Sequence, residues 1–166
     1  MLCVTENCTV DLAAFGFDDA PIKYGYIRTS GSSSLQIYVL ESVEMYRGVN
    51  IVELDPTTCT AGDRQHFDPY GHADHWTQLM ETLESATTGT IMVGVTADTP
   101  GTLENMGITD AVASFFTRYN MTLPEKIFRK KFAFIMQNGY PRKTIFQAKP
   151  RYRESLRMSV AIRGKL

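Results

Sequence analysis

A single α/β domain, with a mixed sheet system and helices packed against it, is the architecture this sequence predicts. Three observations carry the expectation. Short apolar, β-branched runs recur at 48–54, 90–96 and 131–136, a stretch of helical period separates the first two, and turn-forming residues punctuate every junction. At 166 residues the chain is long enough to bury a core and short enough to form one domain.

Residues 1–21 hold no sustained period and end in Asp18-Asp19-Ala20-Pro21, so they read as an N-terminal arm closed by a turn, with the domain running over 22–166. From Ile22 to Thr29 the residues alternate, with Ile22, Tyr24 and Tyr26 on one face. The serine-rich loop 30–34 leads into a second strand over Leu35–Leu40, and two strands joined so closely pair antiparallel. The run Gly48 to Leu54, closed by Asp55-Pro56, predicts a buried strand with Arg47 at its mouth.

After Pro69 the period changes: Trp76, Leu79, Met80 and Leu83 fall on one face of a helix that Asp74 can cap. Thr90 to Thr96 carries little polar interruption and predicts a strand buried on both faces, followed at once by Asp98. Thr99-Pro100 predicts the start of a second helix, with Leu103, Met106, Val112, Phe115 and Phe116 on its inner face. Lys131–Met136 is the next strand, entered from Arg129-Lys130. Beyond about residue 142 the chain is basic and irregular until a closing strand over Arg157–Ile162.

The formal net charge of −1 conceals an asymmetry, since 126–166 carries twelve bases against Glu154 alone and the rest is correspondingly acidic. Mutual neutralisation across the fold accounts for this; a basic face for an anionic polysaccharide is the alternative. No apolar run is long enough to span a membrane. Asn7-Cys8-Thr9 and Asn120-Met121-Thr122 fit the N-glycan acceptor pattern. Of Cys3, Cys8 and Cys59, either the first two close a small loop or one of them ties the N-terminal stretch to the turn at Cys59. Either pairing leaves one thiol, which in an oxidising compartment points to a bridged homodimer or to burial.

Arg47, Asp98 and Arg129 each stand beside the end of a predicted core strand. If those strands are neighbours, the three converge on one rim, where Arg donors and an Asp acceptor suit the hydroxyls of a sugar. Asn50, Asp68, Trp76 and Lys130 are supporting candidates, with Trp76, Tyr46 and Tyr70 as an apolar platform for a pyranose face. A structural salt bridge without a ligand is the competing explanation. His66, Asp68, His72, Asp74 and His75 match no zinc spacing, and Pro69 and Gly71 break the chain between them, so a polar turn is expected there rather than a metal site. Dinucleotide, P-loop, zincin and nucleophile-elbow motifs are absent. No enzyme and no cofactor is expected.

The stretch Arg47-Gly48-Val49-Asn50-Ile51-Val52 to Leu54-Asp55, then Phe67-Asp68, then Ile91-Met92-Val93 and Asp98, resembles the core of the interleukin-like EMT inducer (ILEI) domain family. Phe128-Arg129-Lys130-Lys131-Phe132-Ala133-Phe134-Ile135 with Gly139 resembles that family's later aromatic-Arg block. Together the resemblance spans about 22–141. It implies a β-β-α sandwich of two mostly antiparallel sheets with two or three packed helices, an α+β arrangement in place of the mixed sheet. It also implies a secreted or secretory-pathway setting and a lectin-like domain for a hexosamine-type glycan (N-acetylhexosamine), with Arg47, Asp98 and Arg129 as the sugar-binding positions. A cytokine-like signalling protein acting on a receptor is the alternative. Lys130 and Phe132 stand where the family has Asp and Trp, which bears on sugar specificity.

Overall fold

The computed structural model describes residues 8–16, 24–31, 35–38, 47–55, 57–149 and 155–162, with backbone alone for 24 and 35–38. In chain order the elements are β1 (Cys8–Ala14), β2 (Tyr24–Thr29), β3 (Leu35–Tyr38), β4 (Gly48–Asp55), β5 (Thr60–Ala61), β6 (Gln65–Phe67), α1 (His75–Ser85), β7 (Ile91–Ala97), α2 (Asp110–Arg118), β8 (Lys131–Gln137), β9 (Ile145–Lys149) and β10 (Leu156–Ile162). The first sheet runs β10-β1-β2-β3 and the second β5-β4-β7-β8-β9, with β6 also paired to β4. Neighbouring strands in both sheets pair antiparallel.

Two apolar clusters define three layers. Between the sheets, Val10, Leu12, Ile27 and Met158 meet Val52, Val93, Val95 and Ile135. On the other face of the second sheet, Ile51, Met92, Phe132 and Phe134 meet Trp76, Leu79 and Phe116 from the helices. The second sheet is therefore the middle layer of a β-β-α sandwich. Its central strands are buried throughout. That explains why their sequences read as continuous apolar runs although the pairing is antiparallel, a pattern more usual in parallel sheets.

The stretch expected to be an arm contains β1, whose residues pair with β10 on one side and β2 on the other. Cys8, Val10 and Leu12 point into the inter-sheet core while Thr9 and Asp11 are only half-buried. The alternation is there, but it is short and ends in Ala13-Ala14-Phe15. Residues 17–23 and 39–46, with parts of the first two predicted strands and Tyr46, lie outside the described residues.

The second helix begins later than Pro100. Thr109 caps it, its hydroxyl accepting from the Val112 N–H at 3.3 Å, and α2 starts at Asp110. Leu103 and Met106 consequently sit on an exposed loop, at 59% and 55% exposure, rather than on an inner face. In the basic tail, β9 pairs with the edge of β8, although its side chains are largely exposed.

A disulfide joins Cys8 to Cys59, closing 51 residues of separation. It links the start of β1 in one sheet to the turn after β4 in the other, and Gly31 N–H donates to the Cys59 carbonyl at 3.2 Å beside it. Cys3 lies outside the described residues.

Candidate functional site

Strand register brings the three sequence-selected residues to one end of the second sheet. Gly48 pairs with Ala97, so Arg47 and Asp98, one residue further on each strand, leave the sheet side by side. The β7–β8 register through Val95 and Ala133 extends to Thr99 and Arg129. There the Arg129 N–H donates to Thr99 Oγ1 at 2.9 Å. Asp98 and Arg129 both hold positive φ, 61° and 55°, uncommon for residues with a side chain. The backbone of Gly16 lies against both: a Cβ there would come within 2.9 Å of the Arg129 carbonyl oxygen and 3.8 Å of that of Asp98.

Arg47 forms a two-pronged ion pair with Asp68, Nε to Oδ1 at 3.0 Å and Nη2 to Oδ2 at 2.5 Å. Gly48 permits this start of β4, since its φ of 106° and the Phe67 carbonyl, 2.1 Å from where a Cβ would stand, exclude other residues. Two histidines fasten the same pair from the backbone. His66 Nε2–H donates to the Arg47 carbonyl at 2.5 Å, and His75 Nδ1 accepts from the Asp68 N–H at 2.9 Å. Burial pushes the Asp68 carboxyl up, but hydrogen bonds and charge from Arg47, with the Gly71 N–H, outweigh it and leave it below its ordinary 3.8. Burial, in part offset by the bond to Arg47, lowers His66 below 6.5.

The same arginine stacks on an exposed aromatic. Arg47 Cζ lies 4.6 Å from the Tyr70 ring centroid, and Tyr70, 43% exposed, stacks with Phe128 at 6.2 Å. Arg129 Cζ closes the series 4.9 Å from the Phe128 centroid. A cation-ring-ring-cation ladder thus connects Arg47 to Arg129 across the rim.

Not all expected contributors face this surface. Trp76 is fully buried, edge-on to Phe116 at 5.9 Å, so it belongs to the helix-side core and offers no sugar platform. Asn50 is fully buried on the face of β4 that points between the sheets, beneath the rim rather than on it. Asp68 enters through Arg47. Lys130 is half-buried in the turn before β8, its N–H donating to the Ile127 carbonyl at 3.0 Å. Asp98 Oδ1 is withdrawn from solvent.

Phe128 enters the sequence analysis only as the aromatic of the aromatic-Arg block and not as a site residue, although an aromatic directly before Arg129 is the visible sign of such stacking. The two fastening histidines were visible only as part of a polar turn. Lys131, fully buried at the entrance of β8, was read only as the first residue of a strand. His72, Asp74 and His75 bring potential ligand atoms within 4.8 Å of one another. A cation held through His75 Nδ1 would displace the Asp68 amide from that lone pair.

The interleukin-like EMT inducer family profile matches residues 47–140, more than half of the chain. The chain belongs to the ILEI family. No curated protein matches it at a significant level. The ILEI match opens on Arg47 and ends just past β8, so it contains the whole ladder, both helices and the core of the second sheet. β1, β2 and β3 fall outside it, and the match is shorter at its N-terminal end than the resemblance from residue 22. No helix among the described residues of this ILEI domain is long and apolar enough to cross a membrane.

Proposed function

We propose that this ILEI domain is a non-catalytic, lectin-like module that binds a hexosamine-type glycan at the Arg47–Arg129 rim in an extracellular setting. The ladder is the observation that carries the reading. Two guanidinium groups are held against stacked rings on a partly exposed surface, with the carboxylate of Asp68 fixed beside that of Arg47. Planar donors and a fixed acceptor match a sugar's hydroxyls, and exposed aromatic surface offers apolar contact for its C–H face. The disulfide supports the extracellular setting, because such bonds persist in oxidising compartments. A glycan array followed by calorimetry on the best ligand tests it. Arg129→Ala is expected to weaken that ligand at least tenfold with thermal stability nearly unchanged. No ligand on the array, or equal affinity in the variant, overturns the reading.

One observation favours a second reading, a cytokine-like protein acting on a receptor. Leu103 and Met106 are exposed together on the loop before α2, and that loop reaches the 68–75 turn, where Gly107 packs on the Ala73 carbonyl. An exposed apolar pair beside the rim suits a protein partner. Sedimentation with and without reductant tests the bridged homodimer that belongs to this reading.

A further inference from the structure

The Asn120-Met121-Thr122 sequon sits where α2 ends, and its three side chains divide sharply. Met121 is fully buried in the helix-side core, which pins the backbone, while Asn120 and Thr122 are both exposed. Asn120 has φ of 57° and follows the last helical turn, its N–H donating to the Thr117 carbonyl at 2.9 Å. An Asn in the left-handed region at a helix end is explained by backbone preference alone. Thr122 stands exposed two residues on, so the amide and the hydroxyl that the acceptor pattern requires both face solvent.

We infer that Asn120 is an N-glycan attachment site. In that reaction Asn120 Nδ2 attacks the anomeric carbon of an oligosaccharide carried on a lipid diphosphate. A nitrogen–carbon bond forms, the anomeric carbon–oxygen bond to the diphosphate breaks, the lipid diphosphate departs with the electron pair, and Nδ2 loses one proton to the transferase. The amide keeps its second hydrogen. Nδ2 donates to the Pro141 carbonyl at 3.3 Å in the unmodified chain, and a substituted Nδ2 still carries a hydrogen to donate.

Position makes the modification compatible with the rim. Asn120 neighbours Asn138, Gly139 and Pro141, beyond the exit of β8, because Tyr119 Oη donates to Asn138 Oδ1 at 2.6 Å and Asn120 itself reaches Pro141. Arg129 precedes the entrance of the same seven-residue strand. At the rise of an extended chain the two ends are about 20 Å apart, so a glycan on Asn120 is rooted at the opposite end of β8 from the ladder. The other sequon differs: Cys8 is buried in a disulfide and Thr9 is paired in β1 with Ala161.

The inference rests on the extracellular reading but not on sugar binding, and the test separates them. The full chain is expressed behind a cleavable secretory leader in cultured animal cells. Protein from lysate and medium together is treated with peptide N-glycosidase and mapped by mass spectrometry, which reports conversion of a glycosylated Asn side chain to a carboxylate. Conversion at Asn120 in most molecules, lost in Thr122→Ala and kept in Thr122→Ser, is the expected result. An unmodified Asn120 in wild type, or modification undiminished in Thr122→Ala, overturns the inference. Thr122→Ala leaves Asn120 and its backbone conformation in place, so loss of the glycan there cannot be ascribed to a failed helix end. Glycan-array binding by the deglycosylated protein reports on the rim independently.

Discussion

Asp68 holds Arg47 with both carboxylate oxygens across 21 residues of sequence, and both partners are largely shielded from water. The pair also orients Arg47 over Tyr70, so one carboxylate fixes both the charge and the stacking at that end of the ladder. Removing it alone leaves a guanidinium with poor solvation. Asp68→Asn is expected to lower stability by about 2 kcal/mol, as for loss of charge-assisted hydrogen bonds in a part-buried setting. Urea unfolding checks this, through a lower midpoint at an unchanged slope.

Gly71 gives a way to disturb the pair without touching its charges. A Cβ there would stand 2.8 Å from Asp68 Oδ2 and 3.1 Å from Arg47 Nη2, and Gly71 has no positive φ to strain. Gly71→Ala is expected to weaken glycan binding roughly tenfold through misplacement of the guanidinium. Its stability cost should stay near 1 kcal/mol, since the side-chain ends can shift. Calorimetry and thermal melting on the same variant separate the two effects.

Acid should act in two windows. His66 has its folded value lowered by burial, so its contribution is complete above its ordinary 6.5 and declines as the pH falls below that. Asp68, also lowered, keeps its contribution above its ordinary 3.8 and loses it as the pH falls through the folded value. Melting temperature measured from pH 7.5 to 3 is expected to drop in both ranges. His66→Gln, which retains a donor for the Arg47 carbonyl, should flatten the upper drop alone, and Asp68→Asn the lower.

Breaking the Cys8–Cys59 link releases a loop of 51 residues of separation. The chain-entropy estimate for such a loop is about 4 kcal/mol. The double variant Cys8→Ala, Cys59→Ala is therefore expected to unfold at markedly lower denaturant, or to remain partly unfolded at 37 °C. Circular dichroism across a urea series measures it.

The sequence disclosed most where burial is one-sided in helices or complete in strands. β7 and β8 were legible because their apolar residues are divided between the two cores, and α1 because Trp76, Leu79 and Leu83 share a stripe. β9 was not, since its largely exposed residues owe their conformation to β8 alone. Pro100 offers only a generic first-turn signal, whereas the hydroxyl of Thr109 decides where α2 starts. At the rim, the convergence of Arg47, Asp98 and Arg129 followed from placing charges at strand ends. Their partners did not follow, because whether Trp76 faces solvent or Phe116, and whether Asp68 meets Arg47, depends on how a turn folds back on a strand.

The pairing of β1 with β10 couples the two extremities of the described chain. During ribosomal synthesis the second sheet and both helices can assemble once β9 emerges, while β1 still lacks β10. Until β10 is released from the exit tunnel, one edge of an otherwise interior strand stays open to intruding chains, and chaperone occupancy should concentrate there.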